Sequence, residues 1–141
     1  MLTDLVLFRH GKAVRPHEAR DDFERGLTLE GAAQASAQGA RLKDAGFKPD
    51  VVLVSTAFRA AQTWDAASQH FPNVPVRLTR TLYLAAPNVY LDTAEVTNMG
   101  KVLVVAHDPG LHELARYFRK AILGGRICTK PSDSTGWQFS A

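Results

Sequence analysis

Three apolar runs of four residues each constrain this chain more than any other feature: Leu5-Val6-Leu7-Phe8, Val51-Val52-Leu53-Val54 and Val102-Leu103-Val104-Val105. Each is too short for a helix, rich in branched side chains and bounded by polar residues, so each reads as a strand buried on both faces. Strands of that kind belong to parallel sheets, whose faces are covered by helices. The segments between them supply helical patterns. The expected fold is therefore α/β, a three-layer α/β/α arrangement around a mostly parallel sheet.

Taken in order, the segment after Gly11 is polar and charged, with Pro16 inside, and reads as a surface loop ending in Asp21, Asp22, Glu24 and Arg25. Thr28 is placed to cap a helix, with Glu30 in the first turn where a negative charge suits the dipole. Leu29, Ala33, Ala37 and Ala40 would share one face of that helix, which Gly46 and Pro49 end. Behind the second strand, Ala60, Trp64, Ala67 and Phe71 mark the buried side of another helix, stopped by Pro72 and Pro75. Val76 to Leu78 suggests a short edge strand. Leu82, Tyr83 and Leu84 are expected to pack beneath a loop, and Pro87 to open a helix running to about Met99. After the third strand, Leu111, Leu114, Ala115, Phe118 and Ile122 define an amphipathic helix capped by Gly124 and Gly125. The tail, 126–141, shows no clean alternation and suggests one short strand ending near Phe139.

Composition narrows the function. At 141 residues the chain suits one domain, 1–141, and its 45% apolar and 22% charged residues are those of an ordinary globular protein. A net charge of +3 favours anionic ligands weakly. No basic arm, RNA-binding aromatic pattern or zinc-finger spacing points to nucleic acid. No signal-peptide pattern and no run approaching a membrane span is present. The lone cysteine, Cys128, fits a reducing compartment, and a cytoplasmic location is expected.

Each apolar run delivers a cationic or titratable group to its carboxyl end: Arg9 and His10, Arg59, and His107. Ligands of open α/β sheets bind at that edge, so parallel neighbours would gather these groups into an anion site. The residues there also match a family. Arg9-His10-Gly11, then Ser55 with Arg59-Ala60-Ala61-Gln62-Thr63, then His107 with Pro109-Gly110, resemble in order the three motifs of the histidine phosphatase superfamily, which includes the phosphoglycerate mutases. The resemblance spans residues 2 to 125. The loop after Gly11 is too short for the mutases' insertion. Asp22 and Arg25 ahead of Leu27-Thr28 are similar to the SixA-type phosphohistidine phosphatases.

That resemblance implies a phosphoglycerate mutase-like fold and a phosphatase that needs no cofactor or metal. His10 would be the nucleophile, kept neutral by neighbouring arginines. Arg9 and Arg59 would clamp the phosphate oxygens, and His107 would donate to them as an imidazolium held by the phosphate. Gly11, Arg25 and Ser55 are further phosphate-shell candidates, with Thr28 orienting the loop; Lys12 reads as solvated.

The resemblance also exposes a gap. Ester-cleaving relatives use an acid to protonate the leaving oxygen, yet the stretch Thr79-Arg80-Thr81-Leu82-Tyr83 holds no carboxylate. Asp22 is the nearest alternative and Asp108 the next. An imidazole leaves with a pKa near ~6.5 and a phenol near ~10, so a site without a strong acid favours phosphoramidates. The expected substrate is phosphohistidine on a protein partner, such as a histidine phosphotransfer domain. A small phosphomonoester is the alternative, and a catalytically silent phosphate-binding module stands beside both.

Overall fold

The computed structural model describes residues 2–120, 127–129 and 136–140, with side chains through residue 116. All three apolar runs are strands: β1 (Asp4–Arg9), β2 (Val51–Ser55) and, after the short β3 (Val76–Thr79), β4 (Lys101–Ala106). Strands β5 (Ile127–Thr129) and β6 (Gly136–Ser140) complete a six-stranded sheet in the order β3-β2-β4-β1-β6-β5. The first four are mutually parallel; β6 runs antiparallel to β1, and β5 to β6. The tail thus holds two strands where its sequence suggested one, because β1 offers an edge on which β6 can complete its hydrogen bonds.

Alternation along the strands builds two cores. Leu5, Leu7, Leu53, Val102 and Val104 face α3 (Pro87–Val96) and α4 (Gly110–Lys120), where Leu82, Tyr90, Leu111 and Leu114 meet them. Val6, Phe8, Val52, Val54 and Val105 face α1 (Leu29–Asp44) and α2 (Phe58–Ser68), against Leu42, Trp64 and Phe71. Both faces are covered, which is why the runs are apolar without alternation.

The buried face of α1 is not the expected one. Gly31, Ala35, Gln38, Gly39 and Leu42 are buried, while Leu29 is 93% exposed and Ala33 and Ala37 also face outward. Alanine is so frequent in this helix that its spacing marks no face. Close approach decides instead: a Cβ on Gly39 would stand 3.0 Å from that of Ala67 on α2. Leu84 is likewise half exposed rather than packed, whereas Leu82 is fully buried. Helix α3 stops at Val96, three residues before Met99. The side chain of Phe118, and Ile122 with the glycines at 124 and 125, lie outside the described residues.

Candidate active site

Strand β4 lies between β1 and β2, with Arg9 level with Ala106 and Val54 level with Val105. The residues that follow, His10, His107 and Ser55, therefore share one edge of the sheet. The His10 N–H donates to the Ala106 carbonyl at 3.1 Å, and the two imidazoles stand 5.3 Å apart between ring centroids.

Glycines let the loop after β1 lie under the first turn of α1. A Cβ on Gly11 would meet the Gly31 carbonyl carbon at 2.9 Å, and one on Gly31 would meet Lys12 N at 2.8 Å. Thr28 fastens the same corner: its Oγ accepts from Gly31 N at 3.0 Å and donates to the Lys12 carbonyl at 3.1 Å.

The tautomer of His10 follows from its contacts. Nδ1 is 2.7 Å from the Gly11 carbonyl, which can only accept, so Nδ1 carries the proton. Nε2 keeps its lone pair and receives the Arg59 Nε–H at 3.3 Å. Burial, and after it the charges of Arg59, Arg9 and Arg25, holds the imidazole pKa below 6.5 against the opposing Gly11 bond. The arginines lower it as expected, but desolvation is the larger cause. A neutral ring with its lone pair on Nε2 is a competent nucleophile.

The expectation for His107 is an imidazolium held by the phosphate; the protein groups around it by themselves favour the neutral ring. Burial, with Arg59 and His10 nearby, pushes its pKa down to about 3, so at neutral pH it is an imidazole and not an imidazolium. Its Nε2 lies 2.8 Å from Ser55 Oγ. That oxygen also accepts the Ala57 N–H at 3.3 Å, and among the described residues His107 Nε2 is the acceptor within reach of its hydroxyl proton, so the hydroxyl donates to Nε2. The ring proton then sits on Nδ1, a buried atom with no partner among the described residues. An unmet buried donor costs about 1–3 kcal/mol, which a bound oxyanion would recover.

Arg59, at the start of α2, is 3% exposed, and each of its three nitrogens donates a hydrogen bond. Besides His10, it donates from NH1 to the Asp22 carbonyl at 2.6 Å and from NH2 to Asp22 Oδ2 at 3.0 Å. Arg25 holds the other Asp22 oxygen at 2.9 Å and the Val14 carbonyl through Nε. The Tyr83 hydroxyl donates a short hydrogen bond to Asp22 Oδ2. These bonds, that of Tyr83 foremost, hold Asp22 at a pKa of about 2, so in this arrangement it is a carboxylate and not a proton donor. Arg9 pairs with Asp108 at 2.9 Å, and the other oxygen of Asp108 caps α4 at His112 N. Lys12 reaches Glu30. An open cleft of about 430 Å³ beside the nucleophile is lined by Arg9, His10, Lys12, Arg25, Gln34 and Asp108.

All eight candidate residues, Arg9, His10, Gly11, Asp22, Arg25, Ser55, Arg59 and His107, thus meet at one edge. Sequence reading missed Tyr83, Gln62 and Thr63 as supports. Thr63 Oγ accepts the Gly11 N–H at 3.1 Å and donates to the Arg59 carbonyl; Gln62 accepts the Leu27 N–H. The available signal was their place in the second motif, where Gln62 and Thr63 follow Arg59-Ala60-Ala61. Of the remaining histidines, His17 pairs with Glu18 and His70 meets Ser36.

The model of the histidine phosphatase superfamily (branch 1) matches residues 5–83. The chain belongs to that superfamily. Its fold is phosphoglycerate mutase-like. A candidate phosphohistidine phosphatase SixA from Agrobacterium tumefaciens is 30% identical and superposes with a TM-score of 0.76 over 86% of this chain and 78% of its own. The protein histidine phosphatase SixA, solved with tungstate, superposes at 0.71 over 97% of this chain and 96% of its own, with 25% identity. Among curated proteins, the mitochondrial serine/threonine-protein phosphatase PGAM5 of Xenopus tropicalis is 34% identical over 83 residues, 59% of this chain and 29% of that protein. The chain therefore spans less than a third of the PGAM5 relatives it matches. Among the described residues, no helix is long and apolar enough to cross a membrane, and no group of three or more His, Cys, Asp or Glu side chains could hold a metal ion.

Proposed function

We propose that this protein is a SixA-type phosphatase that removes the phosphoryl group from phosphohistidine in a protein partner, through a phosphohistidine of its own at His10. The reading rests on one observation above the others: His10 carries its lone pair on Nε2, where only the long Arg59 Nε–H contact at 3.3 Å meets it, with its proton fixed on the far nitrogen by Gly11. Nε2 attacks phosphorus, the P–N bond to the substrate imidazole breaks, and that imidazole departs with its own proton. Arg9, Arg59 and the His107 Nδ1–H stabilise the equatorial oxygens, since phosphoryl transfer asks chiefly for positioning and charge. Water then hydrolyses the enzyme phosphohistidine and restores His10.

The state of Asp22 favours the phosphoramidate. With that carboxylate ionised, the nearest acidic group has no proton to give an alkoxide. The openness of the cleft beside His10 suits a protein surface. The likeness to PGAM5 supports a second reading, hydrolysis of a phosphomonoester.

The test is phosphate release from a phosphohistidine-bearing carrier protein, an aryl phosphate and an alkyl phosphate, with the wild type and His10→Ala. The expected order is carrier, then aryl, then alkyl, all lost in the variant. Best activity on the alkyl ester would move the function to phosphomonoesters. Activity that survives in His10→Ala would overturn the mechanism.

A further inference from the structure

Every guanidinium of the site already has a carboxylate: Arg9 has Asp108, and Arg25 and Arg59 share Asp22. The two carboxylates are not equivalent. Asp108 is tied to its own helix by the His112 N–H. Asp22 belongs to the surface loop after β1, and its side chain is 44% exposed. It nevertheless reaches the NH2 of Arg59, whose own side chain is almost wholly buried. Nε of this arginine is directed at His10 and NH1 at the Asp22 carbonyl, so the carboxylate stands on the third nitrogen, beside the donors a phosphoryl oxygen needs.

We propose that Asp22 is an internal competitor for the phosphoryl group: its carboxylate occupies the Arg59 and Arg25 donors, is displaced when a phosphorylated substrate binds, and returns to expel inorganic phosphate. The inference rests on the phosphatase reading above and adds a residue that sets how tightly the site holds substrate and product.

The exchange needs only a side-chain movement. The loop backbone is held independently, by the Phe58 N–H on the Phe23 carbonyl at 3.1 Å and by the Val14 N–H on the Gly26 carbonyl at 2.9 Å. The Arg59 NH1 bond to the Asp22 carbonyl survives a rotation of the carboxylate. Tyr83 holds the carboxylate on Arg59, and its ring lies edge-on to both Phe23 and His107. A phosphate dianion outcompetes a monoanion for two guanidiniums, so the substrate can displace Asp22, while the carboxylate keeps the product from being held tightly. The arrangement would also reject weaker anions, which cannot exchange for an internal carboxylate that needs no association.

The test is calorimetric titration with inorganic phosphate of the wild type, Asp22→Asn, Tyr83→Phe and Arg59→Ala. Competition predicts that Asp22→Asn binds phosphate about tenfold more tightly, since a negative charge beside the anion has been removed. Tyr83→Phe, which keeps the carboxylate but loosens it, should shift binding the same way by a smaller factor. In turnover, Asp22→Asn should show a lower KM together with stronger product inhibition. Unchanged or weaker binding by Asp22→Asn and Tyr83→Phe, with wild-type binding still dependent on Arg59, would overturn the competition and make Asp22 a support that orients Arg59. Phosphate binding that is absent, or indifferent to Arg59→Ala, would overturn the phosphate site and the competition with it.

Discussion

Gly31→Ala should damage catalysis from a position that touches no substrate. Replacing glycine by alanine inside a helix ordinarily stabilises by about 0.5–1 kcal/mol. Here the new methyl would stand 2.8 Å from Lys12 N and 3.0 Å from Lys12 C, both backbone atoms. Carbon contacts are comfortable near ~3.5 Å, so the loop or the helix must shift by roughly 0.5–1 Å. Overpacking of this kind costs about 1–3 kcal/mol, which outweighs the helix gain, so a net loss of about 1–2 kcal/mol is expected. Lys12 directly follows Gly11, whose carbonyl holds His10 Nδ1 at 2.7 Å, so the same shift rotates the nucleophile. A misplacement near 1 Å costs on the order of 100-fold in rate, and kcat/KM on an aryl phosphate should fall by roughly 10- to 100-fold. Urea denaturation and steady-state turnover measure the two effects. Gly46→Ala is the control: Gly46 has φ +85° with nothing within 4 Å of a new Cβ, so alanine there strains the backbone without reaching the site. Stability should fall and turnover should not. If Gly31→Ala proved about 1 kcal/mol more stable than the wild type with turnover intact, the packing argument would be wrong.

Two further outcomes follow from the buried histidines. Ser55→Ala removes the only described partner of His107 Nε2 and an acceptor for Ala57 N; it should cost about 1–3 kcal/mol in denaturant and lower kcat, and a neutral result on both would remove Ser55 from the site. Acid should destabilise the protein well above the carboxylate range. Because His107 is held at about 3 when folded, the unfolded chain takes up that proton first, and stability is lost as pH falls from 6.5 towards 3, by up to about 1.4 kcal/mol per unit. His10 acts in the same direction, and its lowered pKa places the acid limb of kcat/KM below pH 6.5. A melting temperature unchanged between pH 7 and 5, or an acid limb above 6.5, would contradict these protonation states.

How much of this was legible in advance depended on the range of the interaction. Four unbroken apolar residues can be satisfied only by burial on both faces, so β1, β2 and β4 were readable as parallel strands, and with them the edge where Arg9, His10, Arg59 and His107 gather. The capping Thr28 and the buried stripe of Ala60, Trp64 and Ala67 were local patterns of the same kind. The face of α1 was not readable, because alanine and glycine carry too little hydrophobic contrast and only the approach of α2 and of Lys12 selects a side. Of the two C-terminal strands only the one ending near Phe139 was readable; its partner edge on β1 lies more than 120 residues away along the chain, and β5 forms only against that strand. The protonation of the site also belonged to the tertiary structure. His107 has no charged neighbour in sequence that would hold it neutral, and Asp22 was as plausible an acid as a carboxylate until Arg59 and Tyr83, 37 and 61 residues away, were seen to close on it. Local sequence determined which groups the strands present; burial and pairing between distant segments decided which of them carry charge.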